Sequence, residues 1–248
     1  MTMALTASPA DQALLLDLQA FDTKIAQLEH RAKKLPEHEK LTELKQHRDK
    51  LQLTMLEERG IKEDIELEMS RVESDVTVVE ARIARDTSRL DASSSAKDVA
   101  ALEQELAALR TRLSNLEDIE LAVMEKLETQ QKVVDNLAEQ ADNLRTQAAE
   151  LEGSRDEALV VIETELGTTR TGRSALQATI PDDLLALYER QRERYGVGAS
   201  LLRGGVSLAS GVKLLENEMQ EIRAAAPDTV IMCASSEGIL VRTNESGL

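Results

Sequence analysis

Four positions near the carboxyl end have the spacing of a metal site, although three of them are serines. Ser207 and Ser210 form one pair, and Cys233 and Ser236 form another, in the C-x-x-C…C-x-x-C layout of a structural zinc site. Four thiolates in this layout would hold zinc in a tetrahedral site. A serine hydroxyl stays protonated near pH 7 and is a weak zinc ligand. We therefore predict that the metal has been lost and that the chain uses no cofactor.

Cys233 is the only cysteine, and the sequence offers it no catalytic base. The three histidines, His30, His38 and His47, belong to the first helical segment and are spaced as solvated surface residues. A nucleophilic cysteine needs a base within hydrogen-bonding reach. We interpret Cys233 as the remaining member of a former ligand set.

Basic and aromatic side chains are concentrated just before the region that contains these four positions, which we call the ribbon-like region. They are Tyr188, Arg190, Arg192, Arg194, Tyr195 and Arg203. Such a segment could bind an RNA or DNA backbone by charge and stacking. The alternative is a near-neutral helix whose arginines pair with its own acids and whose tyrosines pack on the ribbon-like region. We favour this second interpretation, and both remain open from the sequence.

No other pattern indicates catalysis. The chain has no G-K-[ST] phosphate loop, and its 46 acidic residues fall mainly on the outer faces of predicted helices. Acids in that position serve solubility and ion pairing with lysine and arginine. We expect a protein that is not an enzyme.

The composition favours long helices over an ordinary globular core. The chain of 248 residues has one Phe, two Tyr and no Trp, and 31% of it is charged. Such a bias is typical of helices that bury a narrow apolar seam. The net charge of −16 removes the positive field that non-specific nucleic-acid binding requires, so any such contact would be local.

Two apolar seams position these segments. Three-and-four spacing runs through 41–90 and again through 102–162, and the small polar segment 91–97 between them predicts the tip of a hairpin. Pro36 predicts a break or kink before the first seam. An antiparallel hairpin within one chain buries both seams, and an intermolecular coiled coil is the alternative. Glu58 and Lys62 interrupt the first seam, where such residues either set the register or lie at a splayed stretch. The second seam is interrupted by Glu120, Gln130 and Arg155.

The predicted fold class is mainly α, a long antiparallel coiled-coil hairpin with a small C-terminal zinc-ribbon-like β domain. We assign 1–175 to the hairpin and 176–248 to a short helix plus a degenerate ribbon-like domain. Candidate strands of this domain are Leu201 to Arg203, Val212 to Leu215, Thr229 to Met232 and Ile239 to Thr243. Without zinc, its stability would come from hydrogen bonds among Ser207, Ser210 and Ser236, from a tighter apolar core within the domain and from docking on the short helix.

Several stretches, in order along the chain, resemble one known family. They are S-A-K-D-V-A-A-L-E-Q-E-L, L-E-D-I-E-L-A-V-M-E-K, L-A-L-Y-E-R-Q-R, I-R-A-A-A-P-D-T-V-I-M-C and G-I-L-V-R-T-N-E-S-G-L. The chain thereby resembles the bacterial family that carries a long N-terminal coiled-coil hairpin and a C-terminal four-cysteine zinc ribbon. The likeness is greatest to its actinobacterial branch.

The resemblance implies zinc held by four thiolates, and the chain departs from that pattern at three positions. The family usually has a glycine directly after the last cysteine, where this chain has Glu237, with Gly238 one place later. This coordinated drift indicates a lineage that lost its metal rather than a laboratory replacement of cysteine by serine.

The resemblance also implies action through macromolecular contacts. We expect a non-enzymatic cytoplasmic adaptor or scaffold, a monomer or weak dimer, that binds protein partners through the ribbon-like head or the hairpin tip near Ser93 to Ser95. No window is long and apolar enough for a membrane span, so no membrane contact is expected. The alternative is a nucleic-acid-binding zinc-ribbon protein that uses segment 188–203.

Overall fold

The computed structural model describes residues 5–248, which are mainly helical. The helices are α1 (Pro9–Lys33), α2 (Pro36–Ala92), α3 (Ala96–Gln177), α4 (Asp182–Tyr195) and α5 (Glu216–Ala224). The strands are β1 (Ala199–Arg203), β2 (Val206–Ser207), β3 (Val212–Lys213), β4 (Ile231–Met232) and β5 (Ile239–Val241). The predicted fold class, a long helical hairpin with a small C-terminal strand domain, is confirmed.

Prolines and small polar residues set the ends of the first helices. Pro9 occupies the first turn of α1, and the Ser8 hydroxyl accepts a hydrogen bond from the Asp11 N–H at 3.1 Å. Pro36 is the first residue of α2, where a missing N–H costs no helical hydrogen bond. The predicted break is therefore confirmed, and it separates α1 from α2.

Helices α2 and α3 run antiparallel through the unit Glu37–Gly153. Three residues, 93–95, connect them, and the buried side chains that hold them together are Val72, Val79, Leu106, Leu109 and Val123. The predicted tip is confirmed. One polar interruption also crosses the seam, because the Gln130 amide donates to the main-chain oxygen of Glu58 at 3.0 Å. A directional hydrogen bond at this point fixes the register of the two helices.

The second unit consists of Met1–Pro36 with Ser154–Leu248. Our predicted boundary between 175 and 176 separated the coiled-coil seam from the short helix and the strands, whereas the contacts group α1 and the end of α3 with the strands. Helix α3 also continues past the point where its seam fades. Gly172 lies against Phe21, and a Cβ added there would come within 2.9 Å of the Phe21 ring. A glycine here allows α1 and α3 to pack closely.

The strands form one sheet in the order β3-β2-β1-β5-β4. Strands β1 and β5 pair in parallel, with Ala199 opposite Ile239, and the other pairs are antiparallel. The amino-terminal segment lies beside the residues that precede β4. The Ala7 N–H donates to the Asp228 oxygen at 2.8 Å, and the Val230 N–H donates to the Leu5 oxygen at 3.0 Å. The sequence predicted neither this pairing nor β2.

Two apolar clusters stabilise the sheet and its supporting helices, which we call the head. One contains Leu15, Leu18, Ile180, Leu184, Tyr188, Ala199, Ile239 and Val241. The other contains Leu202, Leu214, Met219, Ile222, Cys233 and Leu240. The sequence indicated too little apolar content for an independent head, and the fold supplies the missing part from α1 and α4.

Candidate functional site

The four positions with metal-site spacing converge beneath two turns of the head. Ser207 ends β2 and Cys233 follows β4, and their exposed fractions are 0% and 1%. Each begins a tight turn, in which the Gly211 N–H donates to the Ser207 oxygen and the Glu237 N–H donates to the Cys233 oxygen, both at 2.8 Å. These paired turns bring Ser210 and Ser236 toward the thiol.

A first chain of hydrogen bonds leads to the thiol from β1. The Ala209 N–H donates to Ser200 Oγ at 3.0 Å, and Ser200 Oγ lies 2.8 Å from Ser207 Oγ. Because the main-chain amide occupies one acceptor site of Ser200, its hydroxyl can donate to Ser207, and the Ser207 hydroxyl can then donate to Cys233.

A second chain has the same order. The Val212 N–H donates to Ser210 Oγ at 3.3 Å, and Ser210 Oγ lies 2.9 Å from Ser235 Oγ. Ser235 Oγ is 3.2 Å from Cys233 Sγ. All the hydroxyl protons of both chains can thus point toward the sulfur, which is the polarity that stabilises a thiolate.

The pKa of the Cys233 thiol reflects two opposed effects. Burial raises the pKa, whereas hydrogen bonds from the hydroxyls of Ser207, Ser235 and Ser236 together lower it by a larger amount. The pKa of the thiol therefore lies at about 7. Ser236 Oγ is buried and has no hydrogen bond of regular geometry, although its hydroxyl stabilises the same sulfur. The cluster is therefore suited to a negatively charged sulfur in the absence of a cation.

The donor set does not fit the zinc site that the sequence pattern implies. Two of the three serines at ligand positions bond to other serines, Ser207 to Ser200 and Ser210 to Ser235. Our prediction of hydrogen bonds among Ser207, Ser210 and Ser236 was wrong in its partners, because β1 and the turn after Cys233 supply nearer hydroxyls. Within residues 5–248, no group of three or more His, Cys, Asp or Glu side chains could hold a metal.

The turn after Cys233 retains a backbone shape that favours glycine. Glu237 has φ of 55°, whereas Gly238 is not in the left-handed region. A residue with a side chain is strained in that conformation. Glu237 thus occupies the position at which a glycine would relieve the strain of this turn.

An apolar groove lies next to Cys233, between α5 and β4. Its cavity of about 380 Å³ has an apolar lining that includes Leu214, Ile222, Ile231 and Met232, and it has the acids Glu218 and Glu221 among its other lining residues. Strand β4 is at one end of the sheet order. The amino-terminal segment pairs with this edge as far as Leu5, opposite Val230, and no other residue within 5–248 pairs with the outer edge of β4 at Ile231 or Met232.

The segment of basic and aromatic residues is mostly engaged within the chain. Tyr188 is 0% exposed, and its hydroxyl donates to Asp22 Oδ2 at 2.7 Å. Gly198 lies on the ring, where an added Cβ would come within 2.3 Å of it. Tyr188 therefore cannot serve as the possible partner or nucleic-acid contact, and its burial between α1 and the sheet agrees with the favoured interpretation, in which the tyrosines pack.

Asp22 is the centre of a polar network at this junction. Arg173 Nε donates to Asp22 Oδ1 at 2.7 Å, and Arg173 also pairs with Glu189. Arg192 lies 3.6 Å from Asp22 and 2.8 Å from Glu189. The hydrogen bond with Asp22 raises the pKa of Arg173, and burial with the Asp22 hydrogen bond raises that of Tyr188. The network holds α1, α3 and α4 together.

The remaining predicted contact residues are accessible to different degrees. Arg203 pairs with Glu245 at 3.2 Å, and Arg194 lies 5.2 Å from the ring centre of Tyr195, which is 43% exposed. Arg190 is exposed and makes no ion pair within the described chain. Local pairing thus accounts for Arg192 and Arg203, and the stacking platform is reduced to one tyrosine.

The sequence interpretation missed three side chains that organise the head. Ser200 and Ser235 complete the hydroxyl chains, and only the adjacency of Ser235 to the C-x-x-S pair could have indicated its role. Arg242 donates to five main-chain oxygens in the segment from Ile222 to Thr229, over distances of 2.7–3.3 Å. An arginine without a carboxylate partner at the end of a strand gives no sequence signal for this role.

The hairpin tip presents a small polar surface. The Asp98 N–H donates to Ser95 Oγ at 3.5 Å, so Ser95 lies at the start of α3 as a weak cap, and both Ser94 and Ser95 are exposed. No apolar side chain lies within the three connecting residues. The tip can offer hydrogen bonds to a partner but little apolar area.

Comparisons with known proteins agree with this architecture. Residues 18–196 match the model of the CT398-like coiled coil hairpin domain. An uncharacterised protein of Mycobacterium tuberculosis H37Rv is 34% identical over 239 residues, which is 95% of this chain and 97% of that protein. No helix within residues 5–248 has the length and apolar character needed to span a membrane.

Solved structures show the same fold. A Mycobacterium smegmatis structure superposes with a TM-score of 0.87 at 32% identity and covers 96% of this chain and 100% of its own. CT398 of Chlamydia trachomatis has a TM-score of 0.66 at 17% identity, covering 94% of this chain and 98% of its own. HP0958 of Helicobacter pylori reaches 0.51 at 16% identity, with 95% and 98% covered.

Proposed function

We propose that this chain, which belongs to the CT398-like coiled coil hairpin family, is a non-enzymatic adaptor that binds protein partners through a metal-free head. The observation that carries the proposal is the groove between α5 and β4. It joins apolar lining residues to the edge of β4, which no residue within 5–248 covers at Ile231 or Met232, and this combination recognises an extended polypeptide in many complexes. A partner strand would bond to the edge and place alternate side chains in the groove.

Charge specifies the partner further. Glu218 and Glu221 belong to the groove lining, and the net charge of the chain is −16. The groove therefore favours an extended segment that has basic residues beside its apolar ones. The same charge opposes nucleic acid, and the loss of Tyr188 from the surface removes half of the aromatic pair that the alternative function requires.

Cross-linking capture from the native cytoplasm with the full chain tests the adaptor role. Met232→Glu places a charge at the mouth of the groove, at a residue that is 37% exposed, and Leu208→Glu is the matched control at an exposed leucine outside it. We expect the wild type and the control to capture the same partners and Met232→Glu to lose them, with all three proteins melting alike. Partners that survive Met232→Glu but are lost on replacing Ser94 by glutamate would place the function at the tip instead.

The metal-free state has a separate test. The two hydroxyl chains already provide hydrogen-bond partners for the serines and the thiol at the former ligand positions. We therefore expect no stoichiometric zinc in the purified full chain and no change in its melting temperature on adding a chelator. Stoichiometric zinc, or chelator-induced exchange of the head amides, would contradict the metal-free proposal and would leave the groove proposal standing.

A further inference from the structure

The outer face of α2 carries large apolar side chains that no residue within 5–248 covers. Leu53, Leu56, Leu67 and Val78 are 64%, 69%, 57% and 63% exposed. At about 100° per residue, the four lie within roughly 60° of one another around the helix. They form a stripe on the side of α2 that is turned away from the seam. Leu53 and Leu56 are about one turn apart, and Leu67 and Val78 follow at intervals of 11 residues, about 16 Å each, so a partner that covers all four must run along α2.

Gly60 lies within the stripe. A Cβ added to it would meet nothing within 4 Å, so packing inside the described chain does not require a glycine there. A glycine in a helix interior is destabilising, and one reason for its presence is the close approach of another backbone. Gly153 and Gly167 of α3 are equally open, so an uncovered glycine does not by itself mark a contact surface. Gly60 differs from them because it lies between Leu56 and Leu67 on the stripe.

Acidic side chains lie beside the stripe and at its amino-terminal end. Asp49, Glu57, Glu63, Asp64 and Asp75 are exposed and make no ion pair with the described residues. Glu57, Asp64 and Asp75 lie about 50–70° to one side of the middle of the stripe, Glu63 lies about 50° to the other side, and Asp49 continues its line before Leu53. Arg71 is the one base between Asp49 and Asp75 at a similar angle. A second copy of the chain would bring acids against acids, so charge disfavours a homodimer on this face.

We infer that the α2 face from Asp49 to Val78 docks a basic amphipathic helix of a protein partner. Such a helix has apolar residues three and four positions apart, which pack on Leu53, Leu56 and Leu67, and lysines or arginines on both sides, which meet the flanking acids. This surface is distinct from the head groove, and neither proposal depends on the other.

The test uses a designed probe with the full chain. The probe is a dye-labelled helical peptide with leucines on one face and lysines on both sides, and its control has glutamates in place of the lysines. Fluorescence anisotropy at physiological salt should show saturable binding of the lysine peptide and none of the glutamate peptide. No binding of the lysine peptide would overturn the inference.

Substitutions locate the binding. We expect Leu56→Gln with Leu67→Gln to weaken the lysine peptide about tenfold, because each leucine contributes buried apolar area. Leu121→Gln, at a residue of α3 that is 60% exposed, is the matched control and should change affinity less than about twofold. Equal weakening by the control would show non-specific attraction to an acidic protein and would overturn the inference.

Light scattering distinguishes the competing occupant. We expect the wild type and the Leu56→Gln, Leu67→Gln variant to have the same molar mass at the concentrations of the peptide titration. A wild-type dimer that the double substitution dissolves would assign the face to a second copy of the chain and would overturn the basic-helix proposal.

Discussion

The α2–α3 hairpin and the head stabilise small apolar cores in different ways. The hairpin repeats one kind of contact along two helices, with buried residues such as Val79 and Val123 distributed along the seam. The head has short strands, and single residues such as Asp22 and Arg242 hold several segments together. A repeated seam distributes its stability, whereas the head concentrates it. Single substitutions should therefore affect the head far more than the hairpin.

The largest effect is expected at the junction that supports the head. Asp22→Ala removes the carboxylate that pairs with Arg173, whose side chain is only 15% exposed, and leaves that cation without its main partner. We expect the unfolding free energy of the head, measured by hydrogen exchange of its amides, to fall by about 3 kcal/mol. Glu29→Ala is the control, because its pair with Arg170 is exposed and is worth less than about 1 kcal/mol. Equal losses for the two variants would contradict the concentrated stability of the head.

Arg242 should give the next largest effect. Arg242→Ala removes donors from five main-chain oxygens around the end of α5, so we expect a loss of about 2 kcal/mol in the same measurement. Arg203→Ala deletes an equally long side chain whose partner, Glu245, is exposed, and its loss should stay below about 1 kcal/mol. A stable Arg242→Ala protein would show that water replaces the arginine.

The pH dependence of the head should reveal the Cys233 cluster. The thiol has a pKa of about 7 in the folded chain, below the value of about 8.5 for a free thiol. A thiol whose pKa is lower in the folded state than in the unfolded state stabilises the folded state fully at pH values above its unfolded pKa. This stabilisation is lost as the pH falls through about 7. We expect the unfolding free energy to rise by about 1–2 kcal/mol from pH 6.5 to pH 9, relative to Cys233→Ala. Parallel curves for the two proteins would rule out a stabilised thiolate.

Glu237 should give the smallest effect, with the opposite sign. Its φ of 55° is strained for a residue with a side chain, so Glu237→Gly should raise the thermal stability of the head by about 0.5–1 kcal/mol. Gly238→Ala is the matched control at the next position, where a Cβ would contact Val197 at 3.4 Å, and it should not stabilise. An unchanged melting temperature for Glu237→Gly would mean that the turn tolerates its strained residue without measurable cost.

The difference between a repeated seam and a head held together by single residues also explains which features the sequence could predict. Periodic leucines, Pro36 and the serine-rich tip are local signals, and they gave the hairpin, its break and its reversal. Pair spacing brought together Ser207, Ser210, Cys233 and Ser236. Pairing between distant segments leaves no period, so the contribution of α1 to the head, Ser200 and the role of Arg242 could not be predicted. Tyr188 beside arginines matched a stacking platform because its buried partner, Asp22, lies 166 residues away.

The 166 residues between Asp22 and Tyr188 have a consequence for the order in which the chain folds. Closing a loop of such length is slow and entropically unfavourable in a free chain. Helices α2 and α3 are joined by a three-residue connection, so we expect their contacts to form from the tip before the contacts of the head. The hairpin then leaves only a short effective loop for the Asp22–Tyr188 contact to close. Substitutions near the tip should therefore slow assembly of the head without altering any of its contacts.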